Sequence, residues 1–137
     1  MRANYRPVAR YLSLDWIDDV TAEAAASSEL AAVADGRSVG ITEVVTGGPE
    51  GDVTYHLAVR DGVVGFGAGP ADDEDVRLQQ DWTTAVAIAT GTLNAQEAFL
   101  KGRIRLLGSQ QALLDNQAVF AALDAVFTRV RERTSYA

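Results

Sequence analysis

The chain has 137 residues, of which 47% are hydrophobic and 23% charged, with no cysteine and a formal net charge of −7 at pH 7. This length and composition predict one globular domain over residues 1–137. The lack of cysteine excludes disulfides, thiolate metal sites and cysteine nucleophiles, and the negative charge argues against a nucleic-acid partner. No apolar run is long enough to span a bilayer, and none follows residues 1–6 as a secretory leader would. We therefore expect a cytoplasmic protein with no stable insertion into membranes.

The chain begins with a predicted helix over residues 13–34. Ser13 can cap its start, apolar residues recur on one face, and Asp35-Gly36 ends it. After this stop the pattern changes to short runs rich in β-branched residues, which indicates that a sheet begins here.

Three strands are predicted next, over residues 38–46, 53–60 and 63–68. The loop 47–52 is rich in turn formers and should join the first two strands as a hairpin. Asp61-Gly62 is a two-residue turn of the primed type, so the third strand should pair antiparallel with the second. The alternation along the middle strand gives it one apolar and one wetter face.

The second half of the chain alternates short strands with helices. A strand is predicted at 75–79, helices at 82–91 and 94–100, a last strand at 103–107 and a final amphipathic helix at 109–133. This order predicts the α+β class: one curved, five-stranded, mostly antiparallel sheet with helices covering one face.

Few side chains suggest catalysis. His56 is the only histidine, and no Gly-x-Ser-x-Gly elbow exists to supply a serine partner, so we interpret it as structural. Glu43 lies in an otherwise apolar strand and would have a raised pKa if buried, but we expect it to face solvent. The acidic run 72–75 lacks the alternating ligands of a calcium loop, and the glycines of 65–69 precede acids instead of a helix N-terminus. Neither a metal site nor a nucleotide site is predicted.

A signature spans residues 91–108, which read GTLNAQEAFLKGRIRLLG. A glycine, an apolar-Asn helix start, an Ala-Phe pair, a glycine and a basic-apolar strand ending in glycine follow in this order. The segment resembles the sterol carrier protein type-two (SCP2) family, and most closely its stand-alone bacterial members. Ala95 stands where the family has proline, which is favoured but optional in a first helical turn, and arginines replace the usual lysines in the strand. The resemblance covers most of the chain from Ser13 onward.

The resemblance implies that the sheet and its helices enclose an apolar tunnel for a fatty acid, an acyl-CoA, a sterol or a phospholipid. The apolar side chains of these segments could equally fill a plain core. The candidate tunnel-lining residues are Phe66, Trp82, Val86, Phe99, Ile104, Leu106, Phe120, Leu123 and Phe127. Lys101, Arg103 and Arg105 lie near a helix-to-strand junction, where they could meet an anionic head group or form an exposed basic edge. No cofactor, metal or catalytic residue is predicted.

The sequence therefore favours non-enzymatic carriage or sequestration of one lipid-like molecule in an internal hydrophobic cavity. One alternative is an accessory interaction domain of a lipid or steroid catabolic enzyme, with side chains filling the core. Another is an isomerase or hydratase that uses Glu43 or His56. A weak dimer or a bound enzyme partner stays open.

Overall fold

A five-stranded sheet forms the centre of the computed structural model, which describes residues 8–136. Residues 1–7 and 137 lie outside the described part, and with them the expectation about a leader at residues 1–6. The strands are β1 (Ala9–Arg10), β2 (Ser38–Gly48), β3 (Gly51–Arg60), β4 (Val63–Ala68), β5 (Val76–Asp81), β6 (Arg105–Gly108) and β7 (Thr134–Ser135). The helices are α1 (Leu14–Ala25), α2 (Ser28–Ala34), α3 (Trp82–Ala89), α4 (Ala95–Leu100), α5 (Gln110–Asp115) and α6 (Gln117–Arg131).

The strand order in the sheet is β4-β3-β2-β5-β6, with β2 at the centre. Strand β2 pairs parallel with β5, and the other neighbouring pairs are antiparallel. The parallel pair arises because the chain crosses from one edge of the meander to the far side of β2 before it forms β5 and β6. The predicted α+β class with a mostly antiparallel sheet is confirmed.

The helices cover the face of the sheet that carries its apolar side chains. Helix α1 packs against β4, α3 lies against β2 and β5, and α6 packs on α1 and α2. On the opposite face the loop that follows β4 covers part of β2: the Ala71 amide donates a hydrogen bond of 3.0 Å to the Thr42 hydroxyl. Thr42 is fully buried as a result. We call the helix-covered side the inner face and the other side the outer face.

The predicted turn between β3 and β4 is confirmed. Asp61 and Gly62 have φ values of 51° and 83°, which is the left-handed pair that a type I′ turn requires. The preceding hairpin is tighter than predicted, because β2 extends to Gly48 and β3 begins at Gly51.

Two predicted helices are each broken into two. The helix expected over 13–34 is interrupted after Ala25, where the Ser27 hydroxyl accepts a hydrogen bond from the Leu30 amide and caps α2. The helix expected over 109–133 is interrupted at Asn116, whose side-chain amide donates to the Ala112 carbonyl. In both places a side chain that bonds the local backbone replaces the continuous helical pattern.

The last strand of the sheet begins later than predicted. Helix α4 ends in a Schellman motif, in which the Gly102 amide donates to the Phe99 carbonyl and the Arg103 amide to the Ala98 carbonyl. Arg103 therefore belongs to the end of the helix, and the strand starts at Arg105.

A short parallel pair, β1 with β7, joins the two ends of the described chain. It places Tyr11 beside Tyr136, with ring centroids 5.0 Å apart. Two-residue strands carry no period that a sequence reading could detect, and this pair was not predicted.

Candidate functional site

A cavity of about 600 Å³ lies between the inner face of the sheet and helices α3 to α6. Its floor is formed by strand residues, and its roof by side chains of the four helices. The floor residues are Ile41, Glu43, Tyr55, Leu57, Phe66, Leu78 and Leu106. The main apolar roof residues are Ile88, Phe99, Leu113, Phe120, Leu123 and Phe127. This size is within the range of sites that enclose a small organic ligand.

Most of the predicted lining residues meet at this cavity. Those that line it are Phe66, Phe99, Ile104, Leu106, Phe120, Leu123 and Phe127. Trp82 instead lines a second, smaller cavity, and Val86 lines neither. Trp82 and Val86 are one helical turn apart and therefore share a face of α3. Ile88, on another side of α3, is the residue that reaches the main cavity.

The structure does not bring the basic head-group candidates to the cavity. Lys101 is exposed and pairs with Glu97 at 3.5 Å. The Arg103 guanidinium donates to the Thr84 hydroxyl at the start of α3. Arg105 is exposed on β6 and alternates with the inward-facing Leu106. We therefore do not propose that these three residues bind a head group.

The mouth of the cavity opens between α4, α5 and the start of α6. The lining residues here are exposed, and they combine apolar side chains with amides and one carboxylate. The apolar ones are Phe99, Leu100 and Leu114, and the polar ones are Gln96, Gln110, Gln117 and Asp124. The sequence reading missed the polar set, because single glutamines on short amphipathic helices look like ordinary surface residues.

Glu43 lies on the cavity floor, so the expectation that it faces solvent is wrong. Its remaining accessible surface faces the cavity, and burial raises the pKa of its carboxyl from 4.5 to about 7. The signal was present in the sequence: Val39, Ile41 and Val45 alternate with the same period of two and are all buried. It was obscured because Val44, on the outer face, is apolar as well, so the strand does not alternate cleanly between apolar and polar residues.

Two tyrosines share the environment of Glu43. Tyr55 lies directly opposite Glu43 on β3 and also lines the cavity. Burial, and to a smaller extent Glu43 and Tyr11, raise the pKa of Tyr55 well above its usual value. Burial, followed by Glu43 and Tyr136, likewise raises the pKa of Tyr11. Both phenols therefore stay protonated.

Aromatic rings connect the main cavity with the second one. Trp16 packs edge-on against Tyr55 at 5.5 Å and against Tyr11 at 5.1 Å, and it stacks on Phe127 at 6.3 Å between ring centroids. Tyr11 lines the second cavity, of about 450 Å³, together with Trp82. Trp16 thus stands between the two linings.

His56 lies on the outer face of the sheet, away from the cavity. Its ring nitrogen Nδ1 is 2.9 Å from the Gly69 carbonyl oxygen, to which it can donate a hydrogen bond. The ring packs over Gly67, where an added Cβ would come within 2.6 Å of it. A structural role accounts for both contacts, in line with our interpretation.

The acidic loop before β5 is held by hydrogen bonds to the protein. The Asp75 carboxylate accepts from the Gly40 amide at 2.8 Å, and Glu74 pairs with Arg77 at 3.0 Å. Within residues 8–136, no group of three histidine, aspartate or glutamate side chains is arranged to hold a metal ion. None of the described helices is long and apolar enough to cross a bilayer.

A mostly antiparallel sheet with helices over one face and an apolar cavity between them is an arrangement that can enclose an apolar ligand. The family model of the SCP-2 sterol transfer family matches residues 20–121 of this chain. The chain belongs to that family, which confirms the resemblance found in the sequence. No protein of curated function matches the sequence.

Solved structures show the same fold at low sequence identity. A conserved hypothetical protein from Thermus thermophilus, described as a possible sterol carrier protein, superposes with a TM-score of 0.71 at 19% identity, covering 92% of this chain and 95% of that one. A crystal structure of sterol carrier protein 2 gives 0.69 at 17% identity, covering 90% and 99%. The apo form of sterol carrier protein 2 from Yarrowia lipolytica gives 0.58 at 16% identity, covering 96% and 98%.

Proposed function

We propose that the protein, as one domain, binds a single lipid-like apolar molecule in the main cavity and carries or sequesters it without chemical conversion. The observation that carries the proposal is the cavity of about 600 Å³ with its mainly apolar lining. Membership of a sterol transfer family supports it. The ligand classes that we expect are a fatty acid, an acyl-CoA, a sterol or a similar amphiphile.

Burial of hydrocarbon supplies the binding free energy. Each methylene removed from water contributes about 0.8 kcal/mol, so a chain of about sixteen carbons contributes on the order of 10 kcal/mol before ordering costs. One methylene more or less changes the affinity only by about fourfold. The cavity should therefore accept several chain lengths.

The cavity supports carriage over the alternative of an accessory interaction domain, because that alternative requires side chains to fill the core. It also offers little for catalysis. Of the two residues considered for an isomerase or hydratase, His56 lies on the outer face and only Glu43 lines the cavity. A ligand recovered with unchanged mass and an unchanged NMR spectrum would support binding without conversion, because hydration changes the mass and isomerisation changes the spectrum.

The test is displacement of N-phenyl-1-naphthylamine, an uncharged dye that fluoresces in apolar sites, by palmitate, cholesterol and 1-hexadecanol. We expect at least one of these lipids to displace the dye at micromolar concentration. Leu106→Trp, which places a large ring in the cavity, should weaken lipid binding at least about tenfold, because it fills space that the ligand needs.

Leu107→Trp is the matched control. Leu107 follows Leu106 on β6, is 44% exposed and does not line the cavity, so the same substitution there should leave lipid binding unchanged. The proposal is wrong if none of the lipids displaces the dye, or if Leu106→Trp binds as tightly as the wild type.

A further inference from the structure

One carboxyl group stands in the apolar floor of the cavity. Glu43 lies in the central strand, between the inward-facing Ile41 and Val45. Its neighbours across the sheet are Tyr55 on β3 and Leu78 on β5. A leucine or valine at position 43 would continue the apolar floor, whereas a carboxyl group is costly to bury unless something bonds to it. The Glu43 carboxyl therefore needs a hydrogen-bonding partner.

The described protein groups do not neutralise this carboxyl. On β5, Gln80 donates a hydrogen bond of 3.1 Å from Nε2 to Oε1 of Glu43. The titratable groups that face it are the phenols of Tyr55 and Tyr11, and Asp124 is the other carboxylate of the cavity lining. No lysine, arginine or histidine is among the lining residues within the described chain. Burial raises the pKa of Glu43 to about 7, so the group is partly protonated near neutral pH.

The hydrogen bonding around Glu43 is incomplete. Gln80 bonds only to Oε1, and no described residue donates to the second oxygen, Oε2. The side-chain carbonyl oxygen Oε1 of Gln80 is also buried without a hydrogen-bond partner. Because Glu43 lines the cavity, a bound molecule can supply the missing hydrogen bond to Oε2.

We propose that Glu43 is the polar anchor of the cavity, and that it binds the hydroxyl group of an uncharged amphiphile whose polar end lies inward against β2. This inference rests on the proposed lipid-binding function and narrows its ligand class to alcohols, whether a long-chain alcohol or a sterol. The hydrocarbon then extends towards the mouth between α4 and α5.

The charges of the cavity explain why the ligand is an alcohol and not a carboxylate. A hydroxyl can donate to ionised Glu43 and accept from protonated Glu43, so it bonds in both states. Above pH 7, where Glu43 is mostly ionised, a carboxylate placed inward meets the negative charge of Glu43, and one placed outward meets Asp124 at the mouth. Like charges repel, and the repulsion is strongest where water is excluded. Anionic lipids are therefore disfavoured in both orientations.

The test compares ligands of equal chain length on variants of one residue at pH 8. Dissociation constants of 1-hexadecanol, palmitate and hexadecane are measured by dye displacement, with cholesterol as the sterol arm. The wild type should bind 1-hexadecanol at least about tenfold more tightly than palmitate. Glu43→Leu should weaken 1-hexadecanol about tenfold and leave hexadecane as tight or tighter, because one hydrogen bond is lost and the floor stays apolar. Glu43→Gln should tighten palmitate about tenfold, because the amide carries no charge.

Glu97 provides matched controls outside the cavity. It is exposed on α4, pairs with Lys101 and does not line the cavity. Glu97→Leu and Glu97→Gln should leave all dissociation constants unchanged. A hexadecane affinity at the wild-type level also shows that the Glu43→Leu cavity is intact.

The inward orientation of the ligand's hydroxyl group is tested by nuclear Overhauser effects between bound 1-hexadecanol and the protein. The carbinol protons should contact the ring protons of Tyr55, next to Glu43. Contacts of these protons with Leu114, at the mouth, would overturn the inward orientation.

The outcomes separate this inference from the proposed function. If the lipids bind but the Glu43 variants keep the wild-type preference, the anchor is wrong and the proposed function stands. If no lipid displaces the dye from the wild type, both are wrong. Equal affinity of the wild type for 1-hexadecanol and palmitate would overturn the anchor alone.

Discussion

The helices cover the sheet in two different ways. Over β3 and β4, helices α1 and α2 pack together with α6, and the core here contains fully buried residues such as Val20, Leu30, Val59 and Val130. We call this the packed half. At the other end of the helical layer, helix α4 buries only Ala98 and helix α5 buries no residue, and a cavity of about 600 Å³, whose floor has residues from all five strands, remains beneath them. We call this the open half.

Helix α6 takes part in both halves. One of its stripes contains Val119, Val126 and Val130, which are buried in the core. The neighbouring stripe contains Phe120 and Phe127, which line the cavity. The difference between the halves teaches that packing against α1 and α2 holds α6 in place, so that its second stripe can line a cavity without collapse of the fold.

The largest loss in the free energy of unfolding should come from truncating a leucine side chain in the packed half. Leu30, on α2, is 1% exposed, whereas Leu114, on α5, is 51% exposed at the cavity mouth. Leu30→Ala should lower the free energy of unfolding by about 4 kcal/mol, because it leaves a void in a tightly packed core. Leu114→Ala should change it by less than about 0.5 kcal/mol. Guanidinium denaturation measures both, and equal losses would contradict the division into two halves.

The next largest effect is a dependence of the free energy of unfolding on pH, caused by the ionisation of Glu43 in the open half. Its pKa is about 7 in the folded protein and 4.5 without burial. Between these values the unfolded chain ionises while the folded chain stays neutral, so the free energy of unfolding falls as pH rises from 4.5 to 7. The full fall is about 3 kcal/mol. Below pH 4.5 Glu43 is neutral in both the folded and the unfolded chain, and its contribution to the free energy of unfolding is fully retained.

Glu43→Leu should therefore stabilise the protein more at pH 8 than at pH 4, by up to about 3 kcal/mol. Urea denaturation of the wild type and the variant at the two pH values gives this difference directly. The exposed variant Glu97→Leu should lack the pH-dependent gain. A gain for Glu43→Leu that is the same at both pH values would mean that the carboxyl is hydrated and not buried.

The smallest of these expected effects on the free energy of unfolding concerns two helix caps with the same hydrogen-bond geometry. Ser27 caps α2 in the packed half and Ser109 caps α5 in the open half, each with a hydrogen bond of 3.1 Å. Ser27→Ala should lower the free energy of unfolding by about 1 kcal/mol. Ser109→Ala should have a smaller global effect but speed amide hydrogen exchange within α5, because this helix buries little and opens locally. Equal global losses without faster exchange in α5 would show that both halves unfold as one unit.

The sequence predicted the sheet and the family well, for identifiable reasons. Asp61-Gly62 fixes a turn type through backbone geometry alone, and the signature at 91–108 places α4 and β6 in the family order. Such local signals do not depend on distant contacts. The breaks at Ser27 and Asn116 were missed because each depends on one side-chain hydrogen bond that competes with a continuous helical pattern.

The site was predictable only in part. The apolar stripe of α6 has the same period whether it faces side chains or a cavity, so Val119 and Phe120 look alike in the sequence. The position of Glu43 depends on which face of β2 meets the helices, and the sequence does not show this face because Val44, on the outer face, is apolar as well. Trp82 lines the second cavity and not the main one, which the sequence could not show because the contacts of α3 are set by tertiary packing.

Native mass spectrometry of the purified protein mixed with 1-hexadecanol tests the central claim most directly. We predict one bound molecule per chain for the wild type and for Leu107→Trp, and loss of this complex in Leu106→Trp. A chain that stays free of lipid at micromolar concentrations, or that binds several molecules irrespective of the Leu106 substitution, would contradict the claim that the open half is a lipid-binding cavity.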